Sequence, residues 1–283
     1  MNGDYFAGRP ALITGAGAGI GRALALRLAG YRTRLTLWDR DADGLERTAE
    51  GCRRAGAEVH ACVVDVSDRA AVIEAVVSVG ERGGADLLFC LAGTIHTGTL
   101  QDSDLSDFDH VMAVNFWGTV NTVKALLPQL LASDRGHVVT VSSAFGLMAV
   151  PRFSAYCATK FAVRGFTEAL RQELAVTSSA VQVSCAYPGA VRTSIVRNGR
   201  FAITEDRDAI SGRFDGALAR TTPEQAAAAI LRGVRRGRPR ILVGADAHLV
   251  SALVRMTGAG YQRILPRILK RTTTLDRSQP RRP

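Results

Sequence analysis

Thr14-Gly15-Ala16-Gly17-Ala18-Gly19-Ile20-Gly21 is the stretch whose reading decides the fold. It follows directly on Ala11–Thr14, a short strand-like run, and opens Ile20–Gly30, a segment of helical period. A strand that turns through glycines into a helix offers backbone N–H groups and the positive end of the helix dipole to a pyrophosphate. Glycine permits both the tight turn and the close approach. The spacing is T-G-x-x-x-G-x-G rather than G-x-G-x-x-G, so it departs from the commonest dinucleotide fingerprint and fits a different one.

Outward from that turn, Arg9 to Gly189 alternates short β-branched apolar runs with longer helix-period segments, as a parallel sheet with crossover helices requires. Strands are expected at Ala11–Thr14, Arg34–Trp38, Glu58–Asp65, Leu87–Leu91, His137–Val141 and Val181–Tyr187. Helices are expected near Ile20–Gly30, Gly44–Ala55, Arg69–Arg82, Phe108–Ala132 and Ala155–Thr177. The pattern is α/β, a doubly wound parallel sheet. A loop-like stretch at about 190–222 reads as a substrate lid, Thr222 as the cap of a helix with Pro223 at its first position, and Arg240–Gly244 as a last strand. Residues 1–245 thus form one catalytic domain, and 246–283 a basic, partly apolar C-terminal extension.

Composition agrees with a globular enzyme: 283 residues, 47% hydrophobic and 22% charged. Five widely spaced cysteines without a C-x-x-C pair, and five scattered histidines, exclude a metal site by spacing and point to reduced thiols. No leader precedes the first strand and no run of about 18 apolar residues occurs, so a cytoplasmic protein is expected. The net charge of +10 is uneven: from Arg220 onward 14 Lys or Arg face three Asp or Glu, a balance of +11, leaving −1 for the rest. Such a field attracts nucleic acid, acidic lipid or an anionic substrate, or is a solvated surface; nucleic acid is not the expected partner.

Asp39 stands after the second strand, about 20 residues beyond the glycine turn, where an acid accepts the ribose hydroxyls or else starts a turn. A carboxylate there repels a 2′-phosphate and favours NAD, whereas Arg40 beside it leaves NADP possible. No basic residue lies within Gly15–Gly21, so NAD is favoured. Asp65 with Val66 either meets the adenine or caps the helix near Arg69.

Tyr156 and Lys160 lie four apart at the start of a helix-period segment, on one face. A phenol near pKa 10 is a poor base at neutral pH, and an adjacent ammonium is expected to lower it. Ser143, 13 residues before Tyr156 at the end of an apolar strand, is placed to bond a substrate oxygen, and that spacing selects it over Ser142. Asn115, amid apolar residues of a long helix, reads as the holder of a water in a proton path or as a satisfied core amide.

These four residues together with T-G-x-x-x-G-x-G resemble the short-chain dehydrogenase/reductase family, over roughly Arg9 to Gly244. The resemblance implies a Rossmann-type fold, NAD or NADP as hydride carrier, and dimers or tetramers. It further implies Tyr156 as general acid/base, Lys160 lowering its pKa and binding the nicotinamide ribose, Ser143 positioning substrate, and Asn115 anchoring a water relay. Gly15, Gly17, Gly19, Ile20 and Gly21 would hold the pyrophosphate, Ala92 and Gly93 would contact the cofactor through backbone, and Pro188, Gly189, Val191 and Thr193 match the segment that would hold the carboxamide. One departure is plain: the family's Asn-Asn-Ala-Gly stands here as Cys90-Leu91-Ala92-Gly93, which removes the amides that brace the sheet.

The expected reaction interconverts a secondary alcohol and a ketone. A nucleotide-binding regulator using its basic end is the alternative, and the complete four-residue set argues against it. Ile195, Val196, Phe201 and Ile203 in the lid favour a bulky, mainly apolar substrate despite Arg192, Arg197 and Arg200. The extension, apolar but interrupted by Gly258, Gly260 and Pro266, has three readings: packing on the domain or a second subunit, covering an apolar pocket, or peripheral docking on an anionic membrane.

Overall fold

The computed structural model describes residues 5–177 and 179–272. In chain order the elements are β1 (Ala11–Thr14), α1 (Gly19–Ala29), β2 (Leu35–Asp39), α2 (Ala42–Arg54), β3 (Val59–Val63), α3 (Arg69–Glu81), β4 (Leu87–Cys90) and β5 (His96–Thr97). There follow α4 (Leu105–Met112), α5 (Gly118–Ala132), β6 (His137–Val141), α6 (Ser154–Val176), β7 (Gln182–Pro188), β8 (Arg200–Phe201) and α7 (Arg207–Arg213). The chain then runs through α8 (Pro223–Arg235), β9 (Arg240–Val243), α9 (Ala245–Thr257) and α10 (Tyr261–Thr272).

Seven strands form one parallel sheet in the order β3-β2-β1-β4-β6-β7-β9. Side chains that alternate along each strand feed two cores: Ala11 and Ile13 of β1 pack on one side with α1, α2 and α8, and Leu12 packs on the other with α3, α5 and α6. The strand order reverses between β1 and β4, which opens a crevice beyond the strand C-termini, where such sheets bind ligands.

Every expected sheet strand is present, with no end moved by more than two residues. The expected helix over 108–132 is instead α4 and α5 joined by a π-turn at Ala113–Trp117, which contains Asn115. Such turns concentrate at functional sites. The loop-like lid holds a strand and a helix: β8 pairs with β5, both only two residues long, and α7 is capped by Asp206 through Ala209 N. Thr222 caps α8 as expected, in a reciprocal box with Gln225. Asp68, not Asp65, caps α3, accepting from Ala70 N and Ala71 N. Gly258–Gly260 interrupts the extension, but α10 continues through Pro266, which forgoes one backbone hydrogen bond rather than ending the helix.

The buried histidine of β6 makes the fold sensitive to acid. His137 Nε2 meets Ser184 Oγ at 2.8 Å, and that hydroxyl donates to Arg238 O, so Nε2 carries the hydrogen and Nδ1 accepts from Tyr5 OH at 2.8 Å. Burial, with Arg9 and Arg171 nearby, pushes His137 down to about 3. Between pH 6.5 and 3 the unfolded chain binds the proton and the folded one does not, so stability falls as pH falls. The loss is about 2 kcal/mol by pH 5 relative to pH 7. Urea unfolding at both pH values should show this loss, and His137→Gln should flatten it.

Candidate active site

The turn from β1 into α1 has the form of an anion cradle. Ala18 at the N-cap makes no side-chain hydrogen bond and no acid stands in the first turn of α1, so the first N–H groups face the crevice without a side-chain partner. Gly15 has φ +69°, and a β-carbon there would sit 2.6 Å from Ala92 N. A β-carbon on Gly19, with φ +52°, would meet Thr193 Cγ2 at 3.0 Å. The turn and the strands beside it line a cleft of about 1870 Å³, which also includes Ile20, Asp39, Arg40, Asp65, Val66, Ala92 and Gly93. These residues fit a dinucleotide: backbone N–H groups at the start of α1 suit a phosphate, and the carboxylate at the end of β2 suits the hydroxyls of a ribose.

Asp39 is tied to the turn itself. Its Oδ2 accepts from Gly17 N at 2.8 Å and its Oδ1 from Asp41 N at 3.0 Å, so the glycine turn and the end of β2 hold the carboxylate in place. Asp65 accepts from the backbone and hydroxyl of Ser67, which hold its carboxyl below the usual range against the opposing effect of burial. After β4, the expected loss of amide bracing is met differently: Thr14 Oγ1 accepts from both Leu91 N and Ala92 N at 3.2 Å, Cys90 is buried in the sheet, and Leu91 packs on the core.

Farther along the cleft, Ser143, Tyr156 and Lys160 meet. Ser142 is not available to a substrate, because its hydroxyl donates to Lys160 O at 2.7 Å inside the core. Ser143 accepts from Phe145 N at 3.1 Å, donates to Pro188 O at 3.4 Å, and lines the cleft with Tyr156. Lys160 Nζ donates to Val141 O at 3.1 Å and sits 5.5 Å from the centre of the Tyr156 ring. The expected lowering of the Tyr156 pKa is not what the protein alone produces. Burial pushes the phenol well up, outweighing the Ser143 hydrogen bond, and pushes the Lys160 ammonium down to about 8. The ammonium bonds a carbonyl rather than the phenol, and by itself it does not outweigh the desolvation of a phenolate.

Asn115 is a brace. Its Oδ1 accepts from Thr94 N at 2.8 Å, and its Nδ2 donates to Thr94 O at 2.9 Å and Thr159 Oγ1 at 3.0 Å. Both donor hydrogens are thereby used, which leaves one lone pair on Oδ1 for a water. The side chain joins the loop after β4 to α6 at Thr159, three residues from Tyr156 and next to Lys160.

Pro188, Gly189, Val191 and Thr193 line the crevice after β7, with Val191 bridged to Thr221. What holds this segment was not foreseen. Asp246, in the first turn of α9, accepts from Ala190 N at 2.6 Å, and a β-carbon on Gly189 would sit 2.1 Å from its carboxylate. The extension therefore begins inside the site; Val250 and Pro266 line the cleft too, and Tyr261 OH accepts from Ala149 N at 3.3 Å. An aspartate just past a strand-ending glycine was the available signal, but nothing in the sequence says that it reaches across 56 residues.

In the substrate half, Ile95, Phe145, Phe153, Ile195, Val196 and Phe214 line the wall. Phe201 instead stacks under Arg207, and Ile203 points to solvent. Three of the lid arginines, Arg192, Arg197 and Arg200, do not line the cleft: Arg192 donates to Ala219 O, Arg197 pairs with Asp215, and Arg200 pairs with Asp107, whereas Arg213 of the lid does line it. The lid is joined to the base of α6 by Arg152, whose Nε donates to Glu205 at 2.8 Å.

A family model described as short chain dehydrogenase matches residues 9–202. The chain belongs to the short-chain dehydrogenase family. Within it, the chain is 45% identical over 261 residues to SadH of Mycobacterium tuberculosis, named as an oxidoreductase, covering 92% of this chain and 95% of that one. It is 33% identical to mouse estradiol 17-beta-dehydrogenase 11, covering 92% and 83%. A Burkholderia phymatum short chain dehydrogenase/reductase solved in complex with NAD superimposes with a TM-score of 0.81 at 30% identity, covering 92% of this chain and 96% of that one. Like these relatives, this short-chain dehydrogenase is a Rossmann-type oxidoreductase of the nicotinamide-using class. No helix among the described residues is long and apolar enough to cross a membrane, and no group of three or more His, Cys, Asp or Glu among them is placed to hold a metal ion.

Proposed function

We propose that this enzyme interconverts a secondary alcohol and a ketone, with Tyr156 as general acid and base. The observation that carries the reading is the meeting of Ser143, Tyr156 and Lys160 in the same cleft as the glycine cradle. A bound nicotinamide dinucleotide supplies or accepts the hydride and, when oxidised, brings a positive charge. In reduction the buried neutral phenol of Tyr156 donates its proton to the ketone oxygen, while the Ser143 hydroxyl donates a second hydrogen bond to the same atom. In oxidation the phenolate takes the alcohol proton; the ammonium of Lys160 and the cofactor's charge together must overcome the burial that opposes that phenolate. Asn115 positions α6 and the loop after β4 around this pair.

NAD is the proposed cofactor, because the Asp39 carboxylate at the ribose position repels a 2′-phosphate. Arg40, which also lines the cleft, keeps NADP within reach. The substrate is bulky and mainly apolar in this reading, which the apolar side chains of the cleft wall and the relative named as an estradiol dehydrogenase support. A homodimer or homotetramer acting in the cytoplasm fits the family and the free thiols.

A turnover panel with both cofactors, spanning polycyclic alcohols, long-chain alcohols and small polyols, tests the reading. Preference for NAD and for bulky apolar alcohols is expected. In Asp39→Ala the NAD to NADP ratio of kcat/KM should fall at least roughly tenfold. An unchanged ratio removes Asp39 from cofactor selection, and activity confined to polyols overturns the substrate class.

A further inference from the structure

α9 and α10 do more than close the domain: Val250 and Pro266 line the cleft together with Leu218 of the lid. On α9, Ala247 is buried and Val250 and Val254 are half-buried, while Leu249, Ala252 and Met256 recur on the outward side at helical spacing. Leu249 is 71% exposed and Met256 78%. Ile264 of α10 is exposed as well, and Ile203, beside the cleft-lining Thr204, is 99% exposed. Elements that contribute to the cleft lining thus also present large apolar side chains to solvent, which marks an interaction surface.

The charge around them has one sign. Arg255, Arg263 and Arg267 are exposed, and none is paired with an acid among the described residues. The only acid in the sequence between Arg240 and Thr272 is Asp246, which is committed to Ala190 N. A two-fold copy of the chain on this face would set the same arginines against one another. An anionic lipid surface accepts both features, apolar side chains in its acyl boundary and guanidinium groups at its headgroups.

We infer that the face built by α9, α10 and the tip of the lid docks peripherally on an anionic bilayer surface, with the mouth of the cleft turned toward it. A bulky apolar alcohol partitions into such a bilayer, so the docked enzyme takes its substrate from lipid rather than from water. This inference rests on the proposed substrate class. It also gives Asp246 a second consequence, since the helix that meets the bilayer carries at its other end the carboxylate that holds the segment after β7.

The test is vesicle flotation of the full chain on phosphatidylcholine alone and on phosphatidylcholine with phosphatidylserine at roughly three to one. Binding to the anionic vesicles only, weakened by added salt, is expected. Paired substitutions Leu249→Asp with Met256→Asp, and Arg263→Glu with Arg267→Glu, should each lower that binding at least roughly tenfold. Both should leave turnover of a short, water-soluble secondary alcohol unchanged. Slowed amide exchange over 249–267 on vesicles provides a readout that does not depend on the variants. Equal binding to neutral vesicles, no binding to either, or a dimer in solution that the same substitutions dissociate would overturn the inference. Vesicle binding without turnover of any alcohol would instead sink the proposed reaction and leave the docking surface standing.

Discussion

Tyr156→Phe is expected to lower kcat by about a thousandfold, the scale of a lost general acid–base group, while the affinity for the dinucleotide changes by no more than about threefold. The substitution removes one oxygen and keeps the ring, which packs edge-on against Phe145 with centroids 6.2 Å apart. The fold should be retained, because the lost hydroxyl sits at the cleft and a phenylalanine there buries no unpartnered polar atom. Steady-state turnover, with cofactor binding followed by nicotinamide fluorescence, separates the two effects. Turnover within tenfold of the parent would falsify the role given to Tyr156. Loss of cofactor affinity in parallel with kcat would point to a collapsed site instead.

Gly15→Ala should be strongly damaging in the cofactor half. The residue has φ +69°, where a side chain is strained, and the new β-carbon would lie 2.6 Å from Ala92 N and 2.8 Å from Leu91 C, both backbone atoms that a rotamer change does not relieve. Relief requires the loop after β4 to move, and that loop is held by Thr14 and, through Thr94, by Asn115. The expected result is a loss of about 2–4 kcal/mol in folding stability and at least a roughly tenfold weaker dinucleotide affinity. Thermal unfolding and fluorescence titration measure these. A parental Tm with parental affinity would mean that the turn is not the cradle described.

The strand and helix alternation was legible because period and punctuation are local properties: a β-branched run, a glycine turn and a capping threonine act within a few residues of themselves. The departures are also physical. Two-residue strands such as β5 and β8 are too short to show a period, and the π-turn at Asn115 differs from a helix by one residue's worth of backbone bonding. The lid arginines illustrate the same limit, since Arg200 on Asp107 joins residues 93 apart.

By itself the sequence determined the doubly wound sheet, the glycine turn that opens α1, and the grouping of Ser143, Tyr156 and Lys160, because each rests on spacing along the chain. Only the tertiary structure decided how those groups behave. That burial raises the Tyr156 phenol, that Ser142 is consumed by Lys160 O while Ser143 faces the cleft, that Asn115 braces Thr94, and that Asp246 reaches back to Ala190 all depend on desolvation and on contacts between distant segments. Spacing carries neither a dielectric environment nor a partner across the fold, and these set the protonation and the orientation on which the chemistry depends.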